Sequence, residues 1–164
     1  MDMQKGLIYL AGGCFWGVEY YLKKLKGVLR TEVGYMGGEL QNPSYEDICT
    51  GNTGHAEAVL VEFDEKQLST EDILHYFFRL HDPTTPNQQG NDIGSQYRSA
   101  IFTTSQEQGE VAEKLIKDLD ASGKWQKKVV TQILPATNFY KAEDYHQDYL
   151  DKNPQGYNCH FLRD

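Results

Sequence analysis

The sequence has few cysteines, no long hydrophobic run and a shortage of positive charge. Its three cysteines, Cys14, Cys49 and Cys159, lie far apart and form no Cys-x-x-Cys pair, which argues against a disulfide framework and a structural zinc site. No apolar run approaches the ~20 residues that a membrane-spanning helix needs. The 16 Lys and Arg residues face 24 Asp and Glu residues, and the resulting net charge of −8 repels nucleic-acid phosphates. We therefore expect neither a nucleic-acid partner nor a membrane partner.

The first residues lack the basic and apolar regions of a secretory signal, so we expect a cytoplasmic location. In that reducing compartment a lone cysteine is either an inert core residue or a reactive thiol. The length of 164 residues suits one domain, and no repeat, linker or low-complexity tract divides the chain. We therefore predict a single domain over residues 1–164.

The hydrophobic spacing predicts an α+β fold, a two-layer sandwich in which helices pack on a sheet. Strands are predicted over residues 6–11, 28–35, 55–63, 98–104 and 129–134. Helices are predicted between residues 14 and 27, after Ser69, after Ser105 and over residues 142–150. The first six elements follow the split β-α-β order of ferredoxin-like folds, and further elements lie C-terminal to this core. The polar loop over residues 82–97 is too long for a simple connection, which favours a functional role.

Cys14 lies where a strand gives way to a helix, directly after Gly12 and Gly13. Unpaired N–H groups and the positive end of the helix dipole favour a thiolate at such a position. They can lower a cysteine pKa from about 8.5 into the range of about 3.5–7.5. The alternative is a small buried residue at a tight turn. Phe15 and Trp16 favour a pocket wall beside Cys14, although both could instead be core aromatics.

Several other side chains are candidates only when taken together. Glu57 begins an apolar strand and is either a half-buried acid or a solvated carboxylate, and His55 is either a general base or a structural residue. Tyr45, Asp92 and Tyr97 lie on loops, where each residue alone is more often structural than catalytic. Cys49 has apolar neighbours and is interpreted as inert, whereas Cys159 lies in a tail that could swing toward Cys14.

Seven short motifs lie in order along nearly the whole chain. They are Gly13-Cys14-Phe15-Trp16-Gly17, the turn from Gly34 to Gly38, Thr53 to Glu57, His81 to Gln88, Asp92 to Ser99, Ala142 to Gln147, and Asn153 to Tyr157. A single Cys-Phe-Trp run would be a weak signal, but the ordered set is highly specific. In this set the sequence resembles the A-type peptide methionine sulfoxide reductases.

The resemblance implies an enzyme that reduces the S epimer of methionine sulfoxide, free or in oxidised proteins, and that is recycled by thioredoxin. Cys14 would be the nucleophile, and Phe15 with Trp16 would hold the methyl group of the sulfoxide. Cys159 would capture the oxidised Cys14 as a disulfide, although Asn158 displaces it by one residue from its place in many members. The enzyme is expected to act as a monomer and to need no metal or organic cofactor.

The chemistry of a sulfoxide agrees with these residue types. Its sulfur is electrophilic but its oxide is a very poor leaving group, so reduction needs a thiolate at sulfur and an acid at oxygen together. The resemblance assigns the oxygen to Tyr45, Glu57 and Tyr97, and it gives Asp92 a part in organising that pocket. A glutamate walled by aromatic rings would have a raised pKa and carry a proton at neutral pH, and tyrosines are neutral donors.

Two other functions remain open at this point. A cysteine hydrolase would pair Cys14 with His55 or His146, oriented by Asp92, and would cleave esters or amides. A binding module without enzymatic activity would use Phe15 and the other aromatic side chains to hold a methylated ligand, and Cys14 would then be dispensable. Incubation with a sulfoxide and dithiothreitol distinguishes the three functions, because only a reductase releases methionine.

Overall fold

The computed structural model describes residues 5–158 and 160–163, which contain eight strands and five α-helices. The strands are β1 (Lys5–Gly12), β2 (Val28–Met36), β3 (Ala56–Asp64), β4 (Gln88–Gln89), β5 (Asp92–Ile93), β6 (Ser99–Thr103), β7 (Gln132–Pro135) and β8 (Tyr140–Lys141). The helices are α1 (Phe15–Leu22), α2 (Tyr45–Cys49), α3 (Thr70–Leu80), α4 (Gln106–Ser122) and α5 (Tyr149–Lys152). Two 3₁₀ turns, Ser95–Tyr97 and Asp144–His146, lie before β6 and before α5. The expected mixture of helices and strands is confirmed.

Six strands form one sheet in the order β7-β6-β1-β3-β2-β8, and β4 pairs with β5 in a separate hairpin. Neighbouring strands of the main sheet are antiparallel, except that β6 and β7 are parallel. The interior strand β3 is buried at every position but one, in agreement with its nearly continuous apolar sequence.

Apolar side chains cover both faces of the sheet. The larger cluster joins the sheet to α1 and α3, with fully buried members such as Ile8, Leu22 and Phe77. The smaller cluster lies on the opposite face and includes Met36 and Phe102. Among the helices of the described residues, none is both long enough and apolar enough to cross a membrane.

Serine residues begin two helices as predicted. Ser69 accepts a hydrogen bond from the N–H of Asp72, whose carboxylate accepts one from the N–H of Ser69, so α3 begins with a complete capping box. Ser105 likewise accepts from the N–H of Gln108 at the start of α4. The side chain of Gln108, however, donates to the carbonyl of Leu7 at 2.9 Å. The second box is therefore half formed, because this amide joins α4 to β1.

Four sequence predictions differ from the structure, three of them in bounds or in detail. Helix α1 ends at Leu22, and turns carry the chain from there to Gly27, which has a φ of +104°. The last long strand is β7 over residues 132–135 instead of 129–134. The loop over residues 82–97 contains the β4–β5 hairpin and a 3₁₀ turn.

The predicted helix over residues 142–150 is wrong for a tertiary reason. The side chain of Gln147 accepts from the N–H of Val33 and donates to the carbonyls of Val33 and Ala142, all within 3.0 Å. These bonds hold the segment against β2 in an extended form, so that only a 3₁₀ turn and the short α5 remain helical.

Candidate active site

Strand ends from separate parts of the chain meet at one edge of the sheet. Gly12 at the end of β1 pairs with Ser99 at the start of β6. Strand β3 is antiparallel to β1, so its first residues lie beside the end of β1. Cys14 lies two residues after the end of β1, Glu57 is the second residue of β3, and Tyr97 lies two residues before the start of β6. The topology therefore brings three of the predicted site residues to the same edge.

A tight turn carries the chain from β1 into α1 and places Cys14 at the N-cap of the helix. Gly13 has a φ of +99°, and a β-carbon there would lie 2.7 Å from the side chain of Gln89, so this turn requires glycine. The carbonyl of Cys14 accepts the N–H of Val18, and the residue is only 9% exposed. Its side chain thus lies at a helix start, where the N–H groups and the dipole favour negative charge.

Glu57 is a buried acid with one oxygen held and one oxygen unbonded. Only 1% of the residue is exposed. Its Oε1 accepts the backbone N–H of Phe15 at 3.2 Å, whereas its Oε2 is buried and has no hydrogen-bond partner among the described residues. Burial raises the pKa of Glu57 to about 8; the bond from Phe15 opposes the shift and the charge of Asp92 adds to it. The carboxyl group is therefore protonated at neutral pH, and it keeps at Oε2 a hydrogen-bonding capacity that no described residue uses.

Tyr45 and Tyr97 are half-buried and share one electrostatic environment. Burial raises the pKa of both hydroxyls, and the carboxylate of Glu57 raises both further. The charges of Asp92 and of Cys14 also raise the pKa of Tyr97, because both groups lie near that hydroxyl. Both tyrosines therefore remain protonated near neutral pH and can donate hydrogen bonds.

Cys49 at the end of α2 is exposed, whereas the sequence indicated an apolar neighbourhood. Its thiol lies near the hydroxyl of Tyr45 and contributes to the raised pKa of both Tyr45 and Tyr97. Cys49 therefore borders the tyrosine pair.

The two aromatic residues after Cys14 differ in accessibility. Phe15 is 0% exposed and packs against Tyr35, with ring centroids 5.7 Å apart. Trp16 is partly buried and stacks on Tyr149, with ring centroids 3.8 Å apart and planes inclined by 11°. Trp16 is consequently the accessible member of the pair, and Phe15 lies behind it in the core.

Asp92 lies in the β4–β5 hairpin and contacts the C-terminal segment. The hydroxyl of Tyr157 donates to its Oδ2 at 3.3 Å. Further along, His160 is buried and hydrogen-bonds to the carbonyl of Gly12 at 2.7 Å, two residues before the nucleophile candidate. Cys159, the predicted resolving cysteine, lies outside the described residues.

Neither histidine of the hydrolase hypothesis is arranged as a base for Cys14. His55 uses both ring nitrogens on backbone groups, the N–H of Gly38 at 3.0 Å and the carbonyl of Leu40 at 2.7 Å. In His146, Nδ1 accepts from the indole of Trp16 and Nε2 has no hydrogen-bond partner among the described residues. The thiol–imidazole hydrogen bond that such a hydrolase needs is therefore absent for both histidines.

The reasoning from the sequence assigned no individual role to Glu143, which organises this edge of the sheet. Its carboxylate accepts the hydroxyl of Tyr35 at 3.0 Å and the backbone N–H of Tyr45 at 2.9 Å. Glu143 thereby ties the start of α2 to the segment that follows β8, and these bonds lower its pKa although burial raises it. The only signal in the sequence is its place in the Ala142 to Gln147 motif.

Comparisons with known proteins give a consistent result. The family model described as "Peptide methionine sulfoxide reductase" matches residues 6–163. A "Probable peptide methionine sulfoxide reductase" of Schizosaccharomyces pombe is 56% identical over 160 residues, which cover 94% of each chain. The crystal structure of reduced Mxr1 from Saccharomyces cerevisiae is similar with a TM-score of 0.90 and 42% identity, covering 98% of this chain and 93% of that one. Mxr1 in complex with Trx2 gives a TM-score of 0.64 and 28% identity, covering 100% and 96%.

Proposed function

Since the chain belongs to the peptide methionine sulfoxide reductase family, we propose that Cys14 attacks the sulfoxide sulfur while Glu57 donates a proton to the sulfoxide oxygen. The enzyme reduces methionine sulfoxide to methionine. The reaction moves one oxygen atom: the sulfoxide sulfur gains an electron pair, methionine leaves, and Cys14 becomes a sulfenic acid.

The observation that carries this assignment is the state of Glu57. A carboxyl group with a pKa of about 8 holds its proton at neutral pH, and its buried Oε2 has no hydrogen-bond partner among the described residues. The same side chain accepts from the N–H of Phe15, the residue after Cys14. This hydrogen bond holds the acid close to the nucleophile, because Phe15 directly follows Cys14. The arrangement supports concerted attack and protonation.

Tyr45 and Tyr97 are the further donors to the sulfoxide oxygen in this proposal. Their raised pKa values keep both hydroxyls protonated, so they can stabilise the charge that develops on oxygen as the S–O bond weakens. Asp92 contributes indirectly, since its charge helps to raise the pKa of Glu57.

We propose the S epimer as the substrate, with its methyl group against Trp16 and Phe15 behind the indole. A sulfoxide sulfur carries an oxygen, a methyl group and a longer chain. If protein groups fix the oxygen and the methyl group while Cys14 attacks, only one epimer directs its longer chain to solvent. Separate assays of the two epimers test this selectivity.

Recycling by thioredoxin follows from the relationship to Mxr1, which forms a complex with Trx2. In our proposal Cys159 attacks the sulfenic acid of Cys14, water leaves, and the resulting disulfide is reduced by thioredoxin. Oxidised proteins and free methionine sulfoxide are the substrates, and the enzyme acts as a monomer.

Three further assignments belong to the proposal. A ferredoxin-like core is supported by the order β6-β1-β3-β2, in which all neighbours are antiparallel. A single catalytic domain over residues 1–164 is supported by the family match over residues 6–163, and limited proteolysis tests it. A cytoplasmic location is supported by the need to return a catalytic thiol to its reduced state, and cell fractionation tests it.

The decisive experiment measures methionine released from a methionine sulfoxide peptide in the presence of dithiothreitol. Wild type is expected to turn over, and Cys14→Ser is expected to release none while giving an unchanged circular dichroism spectrum. Cys49→Ser is the matched control, since it removes a second thiol near the tyrosine pair. Methionine release by Cys14→Ser near the wild-type rate would show that another group is the nucleophile.

A further inference from the structure

Trp16 is held by two neighbours from the same C-terminal segment. The ring of Tyr149 stacks on the indole, and Nδ1 of His146 accepts the indole N–H at 2.9 Å. The stacking fixes the plane of the indole, whereas the hydrogen bond fixes its direction within that plane. Together they leave the ring of Trp16 a single orientation.

This hydrogen bond determines the protonation state of His146. An indole N–H can only donate, so Nδ1 must be unprotonated and the proton of the neutral imidazole must lie on Nε2. That Nε2 is buried and has no hydrogen-bond partner among the described residues, in a side chain that is 0% exposed. A buried donor without an acceptor is destabilising. The fold therefore tolerates a buried Nε2–H without an acceptor, and the group that histidine supplies here is the acceptor Nδ1.

Aromatic rings surround the imidazole on several sides. Its centroid lies 4.1 Å from the ring of Tyr145, 4.4 Å from that of Tyr45 and 5.2 Å from that of Phe15. These contacts come from α1, from α2 and from the segment of His146 itself. The imidazole therefore cannot rotate freely, and its fixed position is transmitted to Trp16 by the hydrogen bond.

We propose that His146 is a positioning residue that fixes the indole of Trp16 at the methyl group of the sulfoxide by accepting its N–H at Nδ1. This inference rests on the proposed function, in which Trp16 contacts that methyl group. The methyl group is present in the substrate and in the transition state alike, so a misplaced indole weakens the binding of both. Loss of the acceptor should therefore raise KM and leave kcat nearly unchanged.

Acid should abolish the same hydrogen bond, because a proton on Nδ1 converts the acceptor into a donor. Burial lowers the pKa of His146, and the carboxylate of Glu143 opposes this shift. The two tyrosines whose rings pack against the imidazole, Tyr45 and Tyr145, have hydroxyls with raised pKa values that stay neutral in acid. The bond should accordingly persist at neutral pH and break only on acidification.

Two substitutions separate positioning from packing. His146→Asn keeps an acceptor at the place of Nδ1 but loses most of the ring, whereas His146→Phe keeps a ring and loses the acceptor. We expect KM for a methionine sulfoxide peptide to rise roughly 3- to 10-fold in His146→Phe and to stay within about 2-fold of wild type in His146→Asn. A packing role predicts the reverse order. His146→Gln, whose acceptor lies at the place of Nε2, is a third variant and should behave like His146→Phe.

A spectroscopic test needs no enzymatic activity and so separates this inference from the proposed function. In a Trp125→Phe background Trp16 is the only tryptophan, so its fluorescence reports on its own hydrogen bond. The emission of Trp16 should change on acidification when His146 is present and should not change in His146→Asn. Because this variant keeps Glu143, it shows whether the titration of that carboxylate alone changes the emission. An unchanged KM in both His146→Phe and His146→Gln, or an identical acid titration in His146→Asn, would overturn the inference. Failure of the proposed function would instead appear as activity in Cys14→Ser.

Discussion

Replacing Glu57 by glutamine removes the proton donor and keeps the shape of the site. The amide oxygen of glutamine can still accept the N–H of Phe15, which Oε1 of Glu57 accepts at 3.2 Å. General acids typically contribute about 10²–10⁴-fold to a rate, so the rate of methionine formation in a single turnover should fall by a factor in that range. KM should change little. Single-turnover measurements are required, because recycling can limit the steady-state rate.

The pH dependence of the free energy of unfolding gives a second, independent prediction for Glu57. The carboxyl group has a pKa of about 8 in the fold against 4.5 for an ordinary glutamate. At about 1.4 kcal/mol for each pH unit, this difference corresponds to about 5 kcal/mol. Because the folded pKa is raised, the stabilisation is complete below about pH 4.5 and is lost as the pH rises through about 8. Denaturant unfolding of wild type should show this loss, and Glu57→Gln should not.

Activity should depend on the same ionisation of Glu57. The wild-type kcat/KM should decline above about pH 8 as Glu57 loses its proton, and this alkaline limb should disappear in Glu57→Gln. A single-turnover rate in Glu57→Gln equal to that of wild type over about pH 6–9 would refute the acid role. An unfolding free energy that falls with pH equally in both proteins would show that another group causes the loss.

Two other substitutions test the resolving step and the packing of the C-terminal segment against α1. The Cys159→Ser variant should release one equivalent of methionine and then stop cycling with thioredoxin, and dimedone should trap the sulfenic acid of its Cys14. Normal cycling of this variant, or a Cys14–Cys49 disulfide in peptide mapping of wild type, would contradict the resolving role of Cys159. Gly17→Ala should cost about 1–3 kcal/mol and slow recycling more than the first turnover, because its β-carbon would overlap the ring of His160 and lie 2.8 Å from Oδ1 of Asn158. Its control is Gly109→Ala, where an added β-carbon would meet no other segment of the described residues within 4 Å and the substitution should stabilise α4 by about 0.5–1 kcal/mol in thermal unfolding. Equal behaviour of the two glycine variants would contradict the packing argument.

Local features of the sequence predicted the parts of the fold whose causes lie within a few residues. Ser69 and Asp72 bond to each other's backbone across three positions, so the start of α3 could be predicted from the sequence. The position of Cys14 between a strand and a helix could be predicted in the same way, from apolar spacing and two glycines. The Gln147 segment could not, because its extended form depends on bonds to Val33, more than a hundred residues away.

The sequence by itself determined which chemical groups are present, and through the ordered motifs it determined the family. Only the tertiary structure decided the protonation states of these groups. Glu57 might have been a solvated carboxylate, and it became a protonated acid because β3 is interior and because Asp92, distant in sequence, adds its negative charge; the hydrogen bond from Phe15 only partly opposes this shift. His146 acquired its tautomer from a donor 130 positions away. Capping and amphipathic spacing act over neighbouring residues, whereas desolvation and tautomer choice depend on which distant segments exclude water, and this becomes fixed only when the chain packs.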